Sequence, residues 1–327
     1  MTLSQKRNAL RCLTRVAERI QRAIGAIRHR GEVIMDVGEH KGHDESSLDQ
    51  IAQGAALEAL HRHFPSFNGT VVFESDRYEH FGDAEDGAQR QMLIIDEIDG
   101  TTNLKRALSS QFEYPAPAAI SIALSSSELL GDIEVSVVLA LDTGDVFASI
   151  SAEEGCYLTF ANGTILHPDD IIERRGDSNV RILVPGYSFK VREYKAAIER
   201  ALMVRGLKRV YEGCRSSCMD IIGIMRNLND GYVDCRALLG DENLYGAMLQ
   251  GYDVAGIIPI ALGVGLLVES VNEDHPWQAH HGVERIALVV GRPEVMATML
   301  EAARSVDLDV YREMHGVRIA ARSEVAT

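Results

Sequence analysis

The chain is poor in features that would assign it to a specialised class, beginning with cysteine. Its 327 residues include only five cysteines, Cys12, Cys156, Cys214, Cys218 and Cys235. They are few and odd in number, and Cys214 and Cys218 lie too far from other Cys or His pairs to form a convincing zinc site. We therefore expect reduced thiols and a cytoplasmic protein.

Long apolar runs and a surplus of positive charge are also missing. The longest apolar run, residues 254–268, is interrupted by Pro259. It is too short to span a bilayer comfortably, so we expect a buried helix followed by a strand. The first thirty residues are dotted with Lys and Arg and lack a continuous apolar core, unlike a signal peptide. The net charge of −15 argues against nucleic acid or an anionic membrane as the main partner.

The remaining composition is typical of a soluble globular protein. Apolar residues make up 46% of the chain and charged residues 25%, and the length suffices for about two ordinary domains. A polar, charged stretch at residues 168–179 is the best candidate for a junction between them. We therefore predict one domain over residues 1–170 and a second over residues 171–327.

Periodicity indicates different architectures in the two halves. Apolar residues at helical spacing predict an amphipathic first helix, and a second helix is predicted over residues 48–63. Short strands follow at residues 70–73 and 91–95, with a loop at residues 78–90. Residues 118–160 read as an antiparallel meander. Beyond residue 180, strands alternate with helices, including one predicted over residues 253–262, which favours an α/β second half after an α+β first half.

The most informative stretch is the end of the strand that begins near residue 91. Three acids fall within four residues, Asp96, Glu97 and Asp99. Crowded carboxylates repel one another, and a hard divalent cation relieves that repulsion. The following Gly-Thr-Thr step offers free backbone N–H groups at a helix start, which suits a phosphate. Together they indicate metal-assisted transfer of a phosphoryl group to water, although a turn followed by a helix cap gives a similar pattern.

Further motifs occur in an order that carries a family resemblance. Residues 96–103 resemble Asp-Pro-Ile-Asp-Gly-Thr-Thr-Asn, residues 73–75 an upstream acidic motif, and residues 252–256 a downstream Trp-Asp-x-Ala-Ala-Gly motif. Residues 216–220 and 229–234 match two intervening blocks. The chain resembles the inositol monophosphatase family, within the metal-dependent, lithium-sensitive sugar phosphatases, over nearly its full length. The resemblance implies a layered αβαβα sandwich of the inositol monophosphatase and fructose-1,6-bisphosphatase type. Residues 1–170 would carry most metal ligands, and residues 171–327 would complete the site.

The resemblance also implies roles for individual residues. The implied metal ligands are Glu74, Asp96, the backbone carbonyl of Ile98, Asp99 and Asp253. The implied catalytic residues are Asp49, Glu74 and Thr101, with Thr101 and Asp49 polarising the attacking water. The implied substrate-binding residues are Gly100, Thr101, Thr102, Arg215, Ser216 and Asp234. The implied cofactor is Mg²⁺, two or three ions per site, with Mn²⁺ as an alternative.

Departures from the family pattern leave alternatives open. Glu97 replaces a proline, and it either adds charge beside the metals or faces solvent. Arg215 replaces a glycine, which leaves the substrate open, while Tyr252 replaces a tryptophan. Residues 261–265 lack the acid of the family's Glu-Ala-Gly-Gly block.

We expect a homodimeric Mg²⁺-dependent phosphomonoesterase that acts on a small sugar or cyclitol phosphate such as inositol monophosphate. Nucleic acid and membrane are not expected partners. The alternatives within the enzyme class are a fructose-1,6-bisphosphatase and a 3′-phosphoadenosine phosphatase. A catalytically inactive scaffold that binds sugar phosphates is the alternative outside it.

Overall fold

The computed structural model describes residues 1–30, 36–40, 43–74, 78–82, 91–109, 116–153, 156–172, 180–186, 191–239, 249–271, 285–307 and 310–311. No helix among these residues is both long enough and apolar enough to cross a membrane.

Two helices form the first layer. Helix α1 spans Leu3–Arg30 and helix α2 spans Ser47–His63, and the two pack against each other. The buried residues of α1 recur every three or four positions, as the sequence pattern predicts: Leu13, Val16, Ile20, Ile24 and Ile27. They pack with α2 on one face of a large sheet. A hairpin of β1 (Asp36–His40) and β2 (His43–Ser46) connects the helices.

The large sheet has eight strands in the order β10-β9-β8-β7-β6-β5-β3-β4. The strands are β3 Gly69–Phe73, β4 Tyr78–Phe81, β5 Gln91–Asp99, β6 Ala119–Ser125, β7 Ile133–Ala140, β8 Val146–Glu153, β9 Cys156–Ala161 and β10 Thr164–Leu166. Every neighbouring pair is antiparallel except β3 and β5. Helix α3 (Thr101–Ser109) follows β5 at once, and the short helix α4 (Pro168–Ile172) follows β10.

The parallel pairing of β3 with β5 positions the site. Parallel strands have their carboxyl ends at the same edge of a sheet. Glu74 directly follows β3, and Asp96, Glu97 and Asp99 are the last acids of β5. The sheet topology therefore brings acids that lie about twenty positions apart in the sequence to one corner.

Helices and a second sheet cover the other face of the large sheet. Helices α6 (Ser217–Met225), α7 (Gly251–Ala255) and α8 (Ile257–Gly263) share one apolar core with both sheets. The second sheet has five strands in the order β12-β11-β13-β15-β14. They are β11 Arg181–Leu183, β12 Arg209–Tyr211, β13 Gly231–Asp234, β14 Leu267–Ser270 and β15 Leu288–Gly291.

Helices α5 (Arg192–Val204) and α9 (Pro293–Arg304) pack on the far side of the second sheet. The layers therefore run helix, sheet, helix, sheet, helix. This architecture confirms the predicted αβαβα sandwich.

The structure corrects local predictions. Residues 78–81 form the edge strand β4 instead of a loop, and residues 83–90 lie outside the described residues. The helix predicted over residues 253–262 is two short helices that meet at Gly256. Pro259 has no N–H to donate to the preceding turn, which favours a break there. Strand β12, at the edge of the second sheet, was not predicted.

Candidate active site

A bulge in β5 turns two acids toward the same face of the large sheet. Asp96 pairs with Ser121 of β6 and Asp99 pairs with Ala119, so three steps on β5 oppose two on β6. Ser121 and Ala119 are two residues apart and share a face of β6, and their cross-strand partners share it as well. The bulge therefore places Asp96 and Asp99 together, which regular alternation would not do.

The carboxylate of Asp99 connects β5 to the second half of the chain. Its Oδ2 accepts hydrogen bonds from the Ser216 hydroxyl at 2.8 Å and the Cys218 N–H at 2.6 Å, and its Oδ1 accepts one from the Ser217 N–H at 3.2 Å. Ser216 is the N-cap of α6 and accepts a hydrogen bond from the Met219 N–H. Asp99 therefore satisfies free N–H groups at the start of α6 and lies at the positive end of that helix.

Two further acids are positioned by short local hydrogen bonds. Asp96 is buried, and its Oδ1 accepts a hydrogen bond from the Ile98 N–H at 3.2 Å. Asp253 is in the first turn of α7, where its Oδ2 accepts a hydrogen bond from the Gln250 N–H at 2.7 Å. Asp253 therefore caps the start of α7, and it also lies near the other acids of the site.

Glu97 points to the opposite side of β5, toward α2. It is 1% exposed, so the alternative that it faces solvent is excluded. Its Oε1 accepts a hydrogen bond from Gln53 Nε2 at 2.5 Å. Burial raises the pKa of Glu97 to about 8. Hydrogen bonds from Gln53 and from the backbone of Glu97 and Glu74 lower it, and the negative charge of Asp49 raises it.

Burial and mutual repulsion disfavour ionisation throughout this acidic corner. The pKa of Glu74 is raised well above its usual value by burial and then by the charges of Glu97, Asp253, Asp49 and Asp99. Burial also raises the pKa of Asp96 well above its usual value, and the charges of Glu74, Asp99, Asp253 and Glu97 raise it further. For Asp253, burial and the charge of Asp99 raise the pKa, while the Gln250 N–H and Arg236 lower it. The predicted acids therefore lie within electrostatic reach of one another.

The phosphate-binding segment predicted at residues 100–102 begins α3. Gly100 has a φ of 98°, and a Cβ added to it would lie 2.8 Å from the Pro117 carbonyl oxygen. Glycine is therefore required for both conformation and space. Thr101 and Thr102 form the first turn of α3, where backbone N–H groups lack acceptors within the helix. This segment is suited to an anion beside the acids.

The pair predicted between Thr101 and Asp49 is not formed in this arrangement. The Thr101 hydroxyl donates to the Ile98 carbonyl at 2.8 Å. Asp49 Oδ2 accepts hydrogen bonds from the Ser46 N–H at 2.8 Å and the Ser46 hydroxyl at 2.7 Å, which stabilises the start of α2. The lone pairs of the Thr101 oxygen can still accept a hydrogen bond from water in this arrangement.

Asp234 is engaged by neighbouring side chains, a fact that the sequence did not reveal. It is fully buried, and its carboxylate accepts hydrogen bonds from the Tyr232 hydroxyl at 2.9 Å and from Arg236 Nε at 2.9 Å and Nη2 at 2.5 Å. Its predicted contact with substrate hydroxyls stays a prediction. Arg236 was missed, although an arginine within the apolar segment 231–239 is a signal for a buried ion pair.

Arg215 precedes the α6 N-cap in a left-handed conformation, with φ of 66°. A glycine adopts this conformation without the steric cost that a side chain adds, which accounts for the glycine in the family pattern. Arg215 thus lies directly beside Ser216, the partner of Asp99.

The donor set suits a hard divalent cation. The acids supply only oxygen ligands, which such a cation prefers. In their present positions, no group of three or more Asp, Glu, His or Cys side chains within the described ranges could hold a metal ion. Cation binding would therefore move carboxylates from the positions seen here.

Known proteins resemble the chain in sequence and in fold. No family model matches the chain. A curated protein of Archaeoglobus fulgidus, fructose-1,6-bisphosphatase/inositol-1-monophosphatase, is 28% identical over 177 residues. The alignment covers 50% of this chain and 62% of the relative, so the chain spans less than two thirds of that relative's length.

Solved structures show the same fold. The extragenic suppressor protein suhB of Bartonella henselae has a TM-score of 0.65 at 15% identity, covering 91% of this chain and 99% of that chain. Inositol monophosphatase II of Staphylococcus aureus has a TM-score of 0.61 at 15% identity, covering 93% and 96%. A hypothetical Pyrococcus horikoshii protein with similarities to inositol-1 monophosphatase has a TM-score of 0.62 at 14% identity, covering 88% and 94%.

The fold and the acidic corner together define a protein of the inositol monophosphatase fold. The resemblance seen in the sequence motifs is confirmed by a homologue named for both inositol monophosphatase and fructose-1,6-bisphosphatase activities, and by the solved structures.

Proposed function

We propose that the protein is a Mg²⁺-dependent phosphomonoesterase that acts on a small sugar or cyclitol phosphate such as inositol monophosphate. The main support is the convergence of Glu74, Asp96, Asp99 and Asp253 beside the first turn of α3. Acids that are buried or half-buried so close together are costly without a cation, and such perturbed groups concentrate at functional sites.

Different residues of the chain would perform different parts of the reaction. Glu74, Asp96, Asp99, Asp253 and the Ile98 carbonyl would hold the metal. When bound, Mg²⁺, or Mn²⁺ in its place, supplies positive charge that offsets the phosphate and lowers the pKa of water.

The N–H groups of residues 100–102 would bind phosphate oxygens. The Thr101 hydroxyl would orient the attacking water, and Asp49 and Glu74 are the nearby carboxylates that would accept its proton. Ser216 and Asp234 would contact the rest of the substrate.

A bisphosphate substrate is the second candidate. Arg215 places a permanent positive charge beside the Asp99–Ser216 contact, and a second phosphate group would interact with it. The relative from Archaeoglobus carries both activity names, and a solved structure of SaIMPase-II has inositol monophosphate bound. These names support either substrate for this chain.

The decisive experiment measures phosphate release by the purified chain. Inositol monophosphate, fructose 1,6-bisphosphate and 3′-phosphoadenosine phosphate are offered with Mg²⁺ and with EDTA. We expect Mg²⁺-dependent release from at least one of them. Release from none with Mg²⁺ or Mn²⁺, despite binding of a sugar phosphate, would support the inactive scaffold.

We also propose that the protein is a homodimer in the cytoplasm. The resemblance supports a homodimer, and the five free cysteines suit the cytoplasm. Light scattering during gel filtration measures the mass of the assembly, and a monomer at micromolar concentration would contradict the dimer.

A further inference from the structure

Asn103 ends the motif at residues 96–103 and has no role in the proposed reaction. It is the third residue of α3, and it directly follows the proposed phosphate-binding segment, residues 100–102. Its backbone N–H donates to the Gly100 carbonyl at 2.9 Å, which closes the first turn of the helix. The side chain of Asn103 is half-buried. Contacts of this side chain therefore determine where the phosphate-binding segment lies.

The side-chain amide of Asn103 uses both of its N–H bonds. Nδ2 donates to the Pro117 carbonyl at 2.8 Å and to the Cys214 carbonyl at 2.6 Å. An amide nitrogen carries two hydrogens, so these two contacts saturate it. Pro117 lies in the segment before β6, and Cys214 lies in the segment before α6. One side chain thus joins the start of α3 to segments that are 14 and 111 positions away in the chain.

The segments that Asn103 contacts also pack closely against the phosphate-binding segment. A Cβ added to Gly100 would lie 2.8 Å from the Pro117 carbonyl oxygen and 3.1 Å from the Ser216 Cβ. The carbonyl oxygen that accepts from Asn103 is therefore the one that packs against Gly100. Close packing on this side leaves the segment little room to shift while the Asn103 hydrogen bonds are present.

The Cys214 peptide is held from both sides. Its carbonyl accepts from Asn103, and its N–H donates to the two carboxylate oxygens of the buried Asp220 at 2.9 and 3.2 Å. The next residue, Arg215, has a φ of 66°. A residue other than glycine keeps this conformation only where its surroundings impose it. Asn103 therefore contacts both the phosphate-binding segment and the segment that carries Arg215.

We propose that Asn103 is a positioning residue for phosphate binding. Its side chain holds residues 100–102 at a fixed distance from residues 214–216, so that the N–H groups of the turn are oriented before a phosphate binds. The inference rests on the proposed function only in placing a phosphate at this turn. Donors that are already oriented bind more tightly, because binding need not order them. The competing explanation is that Asn103 only stabilises the fold by satisfying two carbonyls.

Two variants separate these explanations. Asn103→Leu keeps a side chain of similar size and removes both donated hydrogen bonds. Thr159→Val is the matched control, since it removes the buried hydrogen bond from the Thr159 hydroxyl to the Ile260 carbonyl at 3.3 Å. Thr159 lies on β9, which β6, β7 and β8 separate from β5. Calorimetric titration with inorganic phosphate in MgCl₂ gives the dissociation constant, and thermal melting without phosphate gives the stability.

A positioning role predicts that Asn103→Leu weakens phosphate binding by at least about tenfold, because small displacements of orienting groups cost up to about a hundredfold. Thr159→Val should lower the melting temperature and leave the phosphate affinity unchanged. If Asn103→Leu does not fold, Asn103→Asp, which keeps the shape and lacks the amide N–H groups, should weaken phosphate binding in its place.

Unchanged phosphate affinity in a folded Asn103 variant would overturn the inference, and so would the absence of phosphate binding to the unaltered protein. Failure of the proposed function gives a different result, since that function is tested by release of phosphate from esters. Phosphate release with no dependence of phosphate affinity on Asn103 would leave the function and remove the inference. Asn103-dependent phosphate binding without release from any ester would do the reverse.

Discussion

Asp99 and Ser216 are 117 positions apart in the chain, and the Ser216 hydroxyl donates to the Asp99 carboxylate at 2.8 Å. The same hydroxyl accepts the Met219 N–H as the N-cap of α6. One serine thus stabilises a helix end and fixes an acid of the proposed metal site, which links the large sheet to the layer behind it.

Replacing Ser216 should reduce stability through both contacts. We expect Ser216→Ala to lower the free energy of unfolding by about 1–3 kcal/mol, measured by urea denaturation. A double-mutant cycle with Asp99→Asn isolates the shared contact, because the loss in the double variant should be smaller than the sum. Strictly additive losses would show that the two side chains are not coupled.

Gly100 should tolerate alanine worse than a glycine of similar conformation. Gly206 has a φ of 95° and nothing within 4 Å of an added Cβ, whereas Gly100 has a φ of 98° and close backbone neighbours. We expect Gly206→Ala to cost about 1–2 kcal/mol for the left-handed backbone, and Gly100→Ala roughly 1–3 kcal/mol more for overpacking. Equal unfolding free energies for the two variants would contradict the close approach at Gly100.

Neutralising Asp96 should raise the stability of the metal-free protein and lower its activity with Mg²⁺. Asp96→Asn removes a buried charge from a repelling group and should raise the melting temperature in EDTA. It should reduce Mg²⁺-dependent phosphate release by at least about a hundredfold, since even groups that only orient ligands contribute 10–100-fold. Near-normal activity at modest Mg²⁺ would mean that Asp96 is not a ligand.

The metal-free protein should lose stability as the pH rises. A carboxyl whose pKa is higher in the folded than in the unfolded chain stabilises the fold fully below the unfolded pKa. That contribution is lost as the pH rises through the folded pKa. For Glu97 these limits are its ordinary pKa of 4.5 and its folded-state pKa of about 8. We expect the melting temperature in EDTA to fall between pH 5 and pH 8, and Mg²⁺ to raise it most at pH 8. A melting temperature that rises between pH 5 and pH 8 would contradict the raised pKa assigned to Glu97.

Arg215 can be tested for backbone strain and for substrate recognition at once. Arg215→Gly should stabilise the protein by about 1 kcal/mol relative to Arg215→Ala, because only glycine relieves the left-handed conformation. If Arg215 contacts a second phosphate, both variants should lose roughly 1.5–3 kcal/mol of transition-state binding on the bisphosphate alone. Equal small effects on kcat/KM for monophosphate and bisphosphate would assign Arg215 a structural role.

The layers of the fold followed from the family resemblance of several short motifs, and individual elements followed from local patterns. Apolar spacing predicted α1, and the motif at residues 96–103 predicted the acidic strand end. The strand β4 was missed because its residues are exposed or partly exposed at a sheet edge, where alternation is weak.

Contacts between distant residues could not be read from the sequence. The bulge that aligns Asp96 with Asp99 depends on pairing with β6, and the Arg236 contacts with Asp234 depend on backbone geometry. The burial of Glu97 depends on the position of α2, which no spacing in the sequence encodes. Roles of individual residues, including those of Asp49 and Thr101, remain predictions for the same reason.

The hydrogen bonds to Asp99 have a consequence for the order of folding. All three donors belong to residues 216–218, which leave the ribosome long after β5. Until they arrive, Asp99 lacks all three of these donors. The burial of Asp99 is therefore compensated only when α6 docks against the large sheet.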